Sequence, residues 1–106
     1  MEAVFAGRPS YMKEVYDELV THLRTSGPVH EDAVTVGVFL KAERKIAEVR
    51  PLVRSLRVWL LLPREVAGRR CVQATAEFWA VDLRFTEAEV SDDVRALLDE
   101  AYDAAS

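Results

Sequence analysis

The chain is poor in the residues that build chemical sites. It has one cysteine, Cys71, and two histidines, His22 and His30. A lone cysteine excludes an internal disulfide framework and fits a reducing cytosol. With both histidines far from Cys71 along the chain, no structural zinc site is expected. The four glycines, Gly7, Gly27, Gly37 and Gly68, are scattered, which excludes a Gly-rich phosphate loop. Neither G-x-S-x-G nor H-E-x-x-H occurs. The longest apolar run, Val58 to Pro63, is far short of the ~20 residues of a membrane span. The opening Met1-Glu2-Ala3-Val4-Phe5 lacks a basic region and a long apolar stretch, so no signal peptide is expected. Asparagine is absent, Ile46 is the only isoleucine, and 11 arginines stand against 3 lysines. The avoided residues are those with AT-rich codons, which points to a GC-rich bacterial genome.

What remains suffices for one domain over residues 1–106, half of them apolar and 30% charged. A chain this short buries only roughly 60–65% of its unfolded surface, so its stability should be modest. Residues 1–9 read as a lead-in. Tyr11, Val15, Leu19 and Leu23, with Met12, Tyr16 and Val20 beside them, form a wide apolar stripe. They predict a helix from about Ser10, as N-cap, to Thr25, ended by Gly27-Pro28.

Val34, Val36, Val38 and Leu40 then alternate with polar or small neighbours and with Phe39, as in a strand. Lys41 to Lys45 reads as a hairpin turn, and Ile46 to Arg50 as a return strand stopped by Pro51. Leu56 to Leu62 is a third strand, residues 64–76 a long loop, and Glu77 to Phe85 a fourth strand. Ser91 can cap a closing helix whose stripe is Val94, Leu97, Leu98, Ala101, Tyr102 and Ala105. The expected fold is α+β: helix, four-stranded antiparallel meander, helix, with both helices on one face of the sheet.

Two helices cannot cover both faces, and the second face is not uniformly polar. Phe39 and Phe78 fall opposite their strands' main stripes, and the third strand is apolar on both sides through Trp59 and Leu61. The face formed by Phe39, Trp59, Leu61 and Phe78 is therefore the candidate interface or ligand site. A homodimer, a small-molecule cavity, or a lid of Val4-Phe5-Ala6 and the long loop would each account for it.

Charge is unevenly placed. Residues 1–33 carry a net of −3, residues 34–75 a net of +6, and residues 76–106 a net of −7, within a total of −4. Arg44, Lys45, Arg50, Arg54 and Arg57 form a candidate anion-binding patch. The plainer alternative is that these cations pair with the carboxylates of the two helices. Net acidity argues against nucleic acid as a partner.

No catalytic constellation is found and no cofactor is expected. Cys71 reads as a packing residue, and neither His22 nor His30 acquires a role. An alternative of another class uses Glu43 and Lys45 as the E-x-K of a metal-dependent nuclease, with Asp32 as the further acid such enzymes need. The expected partners are a second copy, a small molecule or a protein, in the cytoplasm and away from membranes.

Three stretches carry a resemblance. They are Phe5-Ala6-Gly7-Arg8-Pro9, Ala47-Glu48-Val49-Arg50-Pro51, and the closing Val90-Ser91-Asp92-Asp93-Val94-Arg95-Ala96-Leu97-Leu98-Asp99-Glu100-Ala101-Tyr102. Together they resemble a widespread family of small bacterial domains of unknown function. Its members occur alone or attached to larger proteins loosely described as predicted transport proteins. The similarity spans nearly the whole chain and implies a shared fold, without an established reaction or cofactor. Two positions depart from the family's pattern: Ile46 stands where Phe is usual, and Ala80 lies near a frequent His.

Overall fold

The computed structural model describes residues 2–106; Met1, at the head of the expected lead-in, lies outside them. A short helix α1 (Glu2–Phe5) precedes the first long helix α2 (Ser10–Arg24). The stripe read from the sequence is the buried side of α2: Met12, Val15, Tyr16, Leu19, Val20 and Leu23. Ser10 does not cap it; Pro9 holds the cap position, without a side-chain cap.

Six strands follow: β1 (His30–Val34), β2 (Gly37–Lys41), β3 (Lys45–Pro51), β4 (Leu56–Leu62), β5 (Cys71–Gln73) and β6 (Trp79–Phe85). The closing helix is α3 (Asp92–Ala105). Its first turn is capped as expected: the Val94 N–H donates to Ser91 Oγ at 3.3 Å, and Asp92 and Asp93 sit where the helix dipole favours negative charge.

The sheet order is β1-β2-β3-β4-β6-β5, antiparallel throughout, so the expected four-stranded meander is correct in its middle and incomplete at both edges. One missed strand is β1. Val34, Val36, Val38 and Leu40 were expected to share one strand face, but Val34 pairs with Gly37 across a tight turn at Thr35-Val36. Val36 is accordingly 50% exposed. The polar His30-Glu31-Asp32 then pairs with Lys41, Leu40 and Phe39. The other missed strand is β5, three residues within the expected long loop, paired to β6.

Alternation along β2, β3, β4 and β6 buries one set of side chains almost completely: Val38, Leu40, Ala47, Val49, Val58, Leu60, Val81 and Leu83 are at most 1% exposed. An irregularity between β2 and β3 lets Lys41 pair with Lys45 while Leu40 pairs with Ala47. Ile46 is the extra residue of this bulge and is also buried. The buried stripes of α2 and α3 join this set in one core cluster.

The N-terminal segment joins the core too. Phe5 is buried against Tyr16, ring centroids 5.2 Å apart, so it belongs to the core and not to a lid over the other face. Gly37 begins β2 because a Cβ there would overlap the Val49 carbonyl oxygen. Among the described residues, no helix is long and apolar enough to cross a membrane.

A polar tie fastens β1 to α2. Tyr16, 1% exposed, donates its hydroxyl to Glu31, and Arg24 donates to the other Glu31 oxygen at 3.0 Å. The Tyr16 hydrogen bond, assisted by Arg24, holds the Glu31 carboxyl below the usual glutamate range, against the opposing effect of its burial. Burial, with the neighbouring Glu31 carboxylate, pushes the Tyr16 phenol well above its usual range. For a lowered carboxyl, the stabilisation is fully present above the unfolded pKa, ~4.3 for glutamate, and is lost as pH falls through the folded value. Urea melts below pH ~4.3 should therefore lose stability more steeply for the wild type than for Glu31→Gln. Equal slopes would remove Glu31 from the acid response.

Candidate functional site

The outward set of the same strands forms an open sheet face. Phe39, Trp59, Leu61 and Phe78 are all half-buried here, and the core-facing set alternates with them. Pairing places Asp32, Phe39, Glu48, Trp59 and Asp82 in one row across five strands. The row continues to Arg70, whose carbonyl accepts from the Asp82 N–H at 2.9 Å.

Aromatic rings in this row carry cations above them. Lys45 Nζ stands 4.5 Å and Lys41 Nζ 5.8 Å from the Phe39 ring centre. The Arg57 guanidinium lies 5.3 Å from that of Trp59. Each such contact contributes about 0.5–1 kcal/mol at an exposed site and orients the cation.

Two shallow depressions flank Leu61. One, of about 380 Å³, is lined by Leu61, Phe78, Arg44, Lys45, Thr75 and Glu77 among others. The second, of about 310 Å³, is lined by Trp59, Leu61, Lys45, Glu48, Arg70 and Val72 among others. They share Leu61 and Lys45, so they form one continuous surface. The expected long loop edges this surface through residues 74–76 and leaves Val72 46% exposed, and Glu77, expected to open the fourth strand, joins that edge because the strand begins at Trp79.

The expected anion patch is divided by the fold. Arg50 and Arg57 are direct cross-strand partners. Lys45 lies at the opposite end of β3, beside Arg44 in the 42–44 turn. Arg54 lies in the turn between β3 and β4, where its carbonyl accepts from the Tyr11 hydroxyl at 3.0 Å. A residue outside the basic segment completes the Arg50–Arg57 pair: Arg84 of β6 is the partner of Arg57 across the next strand.

The helix carboxylates do not neutralise this basic segment. Among the described residues, only Arg64 of residues 34–75 reaches one, Glu100 at 3.1 Å. The remaining pairs stay within the sheet: Lys41–Asp32 at 3.1 Å, Lys45–Glu48 at 3.5 Å and Arg57–Asp82 at 3.9 Å.

The E-x-K pair is separated by function in the fold. Glu43 is exposed in the turn, whereas Lys45 is engaged by Phe39 and Glu48. Asp32, the further acid of that alternative, is taken by Lys41. Among the described residues, no group of three or more His, Cys, Asp or Glu could hold a metal ion. His22 joins α2 to α3 through Asp99 at 2.9 Å, and His30 is exposed at the start of β1. The Cys71 thiol is within 3.4 Å of the Val66 amide nitrogen and 3.5 Å of the Arg69 carbonyl, a loop-fastening position.

Comparison of the chain with family models, with curated proteins and with solved structures returns no match.

Proposed function

We propose that this protein is a non-enzymatic interaction module that self-associates through the open sheet face. The supporting observation is the continuous surface around Leu61, with half-buried Trp59 and Phe78 beside it, that no other described part of the chain covers. In this reading both long helices cover the opposite face. The partner copy then buries Phe39, Trp59, Leu61 and Phe78. The gain matters for a chain of this length, which leaves much of its surface wet when alone. Small bacterial domains of the family suggested by Phe5-Ala6-Gly7-Arg8-Pro9 and the closing helix are its proposed kin. The cytosol is its proposed location.

Light scattering tests the reading. The mass of the wild type should be that of two chains, and Leu61→Glu should return it to one. A charge placed at the centre of an apolar interface is left without a partner there. A strict wild-type monomer at high micromolar concentration would overturn it.

A further inference from the structure

The sheet face carries a second feature at the end away from Lys45. Arg50, Arg57 and Arg84 stand abreast on β3, β4 and β6, each the direct partner of the next. Like charges in direct cross-strand register destabilise a sheet. One carboxylate serves two of the three. Asp82, its side chain 8% exposed, lies 3.9 Å from Arg57 Nε and 3.4 Å from Arg84 Nε. Arg50 has no ion pair among the described residues.

Two buried atoms of this cluster, Arg57 Nε and Asp82 Oδ1, have no hydrogen-bond partner. They are the two ends of the 3.9 Å ion pair, too long for a hydrogen bond, so Asp82 does not saturate the Arg57 guanidinium. The orientation is informative as well. Asp82 meets both arginines at their Nε edges, and Trp59 holds the Arg57 guanidinium from one side. The terminal amino nitrogens of Arg57 and Arg84 have no partner within the described residues.

We propose that Arg50, Arg57 and Arg84 bind the phosphate group of a small phosphate monoester carrying a planar ring. Charge selects the head group. Three guanidiniums and one carboxylate leave a net of +2, which a phosphate monoester at about −1.5 to −2 balances and a monocarboxylate does not. Planar guanidiniums with free amino edges suit the several oxygens of a phosphate. Spacing selects the body. Trp59 lies two residues from Arg57 on the same side of β4, roughly 6.6 Å along the strand, and lines the neighbouring depression with Leu61. A ring esterified to the bound phosphate reaches that row. Asp82 orients the arginines from below and is a positioning residue.

Calorimetric titration of the full chain with inorganic phosphate and with phenyl phosphate, in low-salt buffer near neutral pH, tests this. Both should bind saturably, phenyl phosphate the tighter. Arg50→Ala and Arg84→Ala should each weaken both about tenfold, the loss of one charge-assisted hydrogen bond. Arg54→Ala, exposed and outside the row, should leave both unchanged. Absence of saturable heat would overturn the site. An equal loss in Arg54→Ala would reduce it to diffuse attraction and overturn it too. Equal affinity for the two probes would overturn the planar body. The phosphate site does not rest on self-association, although the ring and a partner copy would compete for Trp59: Arg50→Ala should keep the wild-type mass while losing phosphate affinity, so the two readings fail separately.

Discussion

Leu98→Ala is expected to destabilise the fold by about 2–5 kcal/mol, as large-to-small changes in packed cores do. Leu98 is 1% exposed and sits mid-stripe in α3, between Val94 and Tyr102. Its loss leaves a void that neighbours on both sides must fill. Tyr102 is held by its hydroxyl, which donates to the Pro28 carbonyl at 2.9 Å. The backbone of Arg44 is held by the Ala105 carbonyl at 2.9 Å, so the C-terminal end of α3 is fastened to the 42–44 turn. Both ties oppose collapse of the helix into the void, which places the expected cost away from the low end. Whole domains are stable by only about 5–15 kcal/mol, so the urea midpoint should fall by roughly 1–2 M or more. Asp103→Ala, exposed on the same helix, should stay within about 0.5 kcal/mol. A Leu98→Ala change equally small would mean that α3 is not packed as described.

Gly37→Ala should cost about 1–3 kcal/mol or more, although it adds one methyl group at a strand end. The added Cβ would overlap the Val49 carbonyl oxygen, with the Val49 carbonyl carbon 3.2 Å away and the Arg50 Cα 3.4 Å away. All three are backbone atoms in the second half of β3, so no side-chain rotation relieves the clash. Either β2 or β3 must move, beside the buried Val38–Val49 pair. Melting temperature should fall by roughly 4–8 °C for each kilocalorie lost in a domain of this size. An unchanged melting curve would show that β2 approaches β3 less closely than described.

Much of the architecture was legible as periodicity. Both long helices announce themselves through stripes at helical spacing, and Leu56 to Leu62 lies where its flanking prolines and apolar density place it. The edges were not legible, because they lack a buried face to pattern. β1 is His-Glu-Asp in its first half and holds one valine, Val34, while Val36 belongs to the turn that follows. β5 is three residues long. The outward aromatics were legible for the same reason as the core: parity along a strand says which residues oppose the buried set. The arginine row was not, because register between strands is invisible to parity. Arg50 and Arg57 are close in sequence, but Arg84 sits in the acidic last third of the chain, and only pairing brings it beside them. Asp82 likewise gains its meaning from two neighbours on other elements or positions.

The two outermost strands bear on how copies of this chain can meet. β1 is five residues long and carries Glu31 and Asp32, both already engaged by cations of the same chain. β5 is shorter still and follows Arg69 and Arg70. Short, charged borders resist the addition of a further strand. Growth from sheet to sheet into a ribbon is thereby disfavoured at both margins, whereas the proposed pairing through the open face closes after one partner. In the proposed self-association, these borders steer assembly toward a finite pair and away from a fibre.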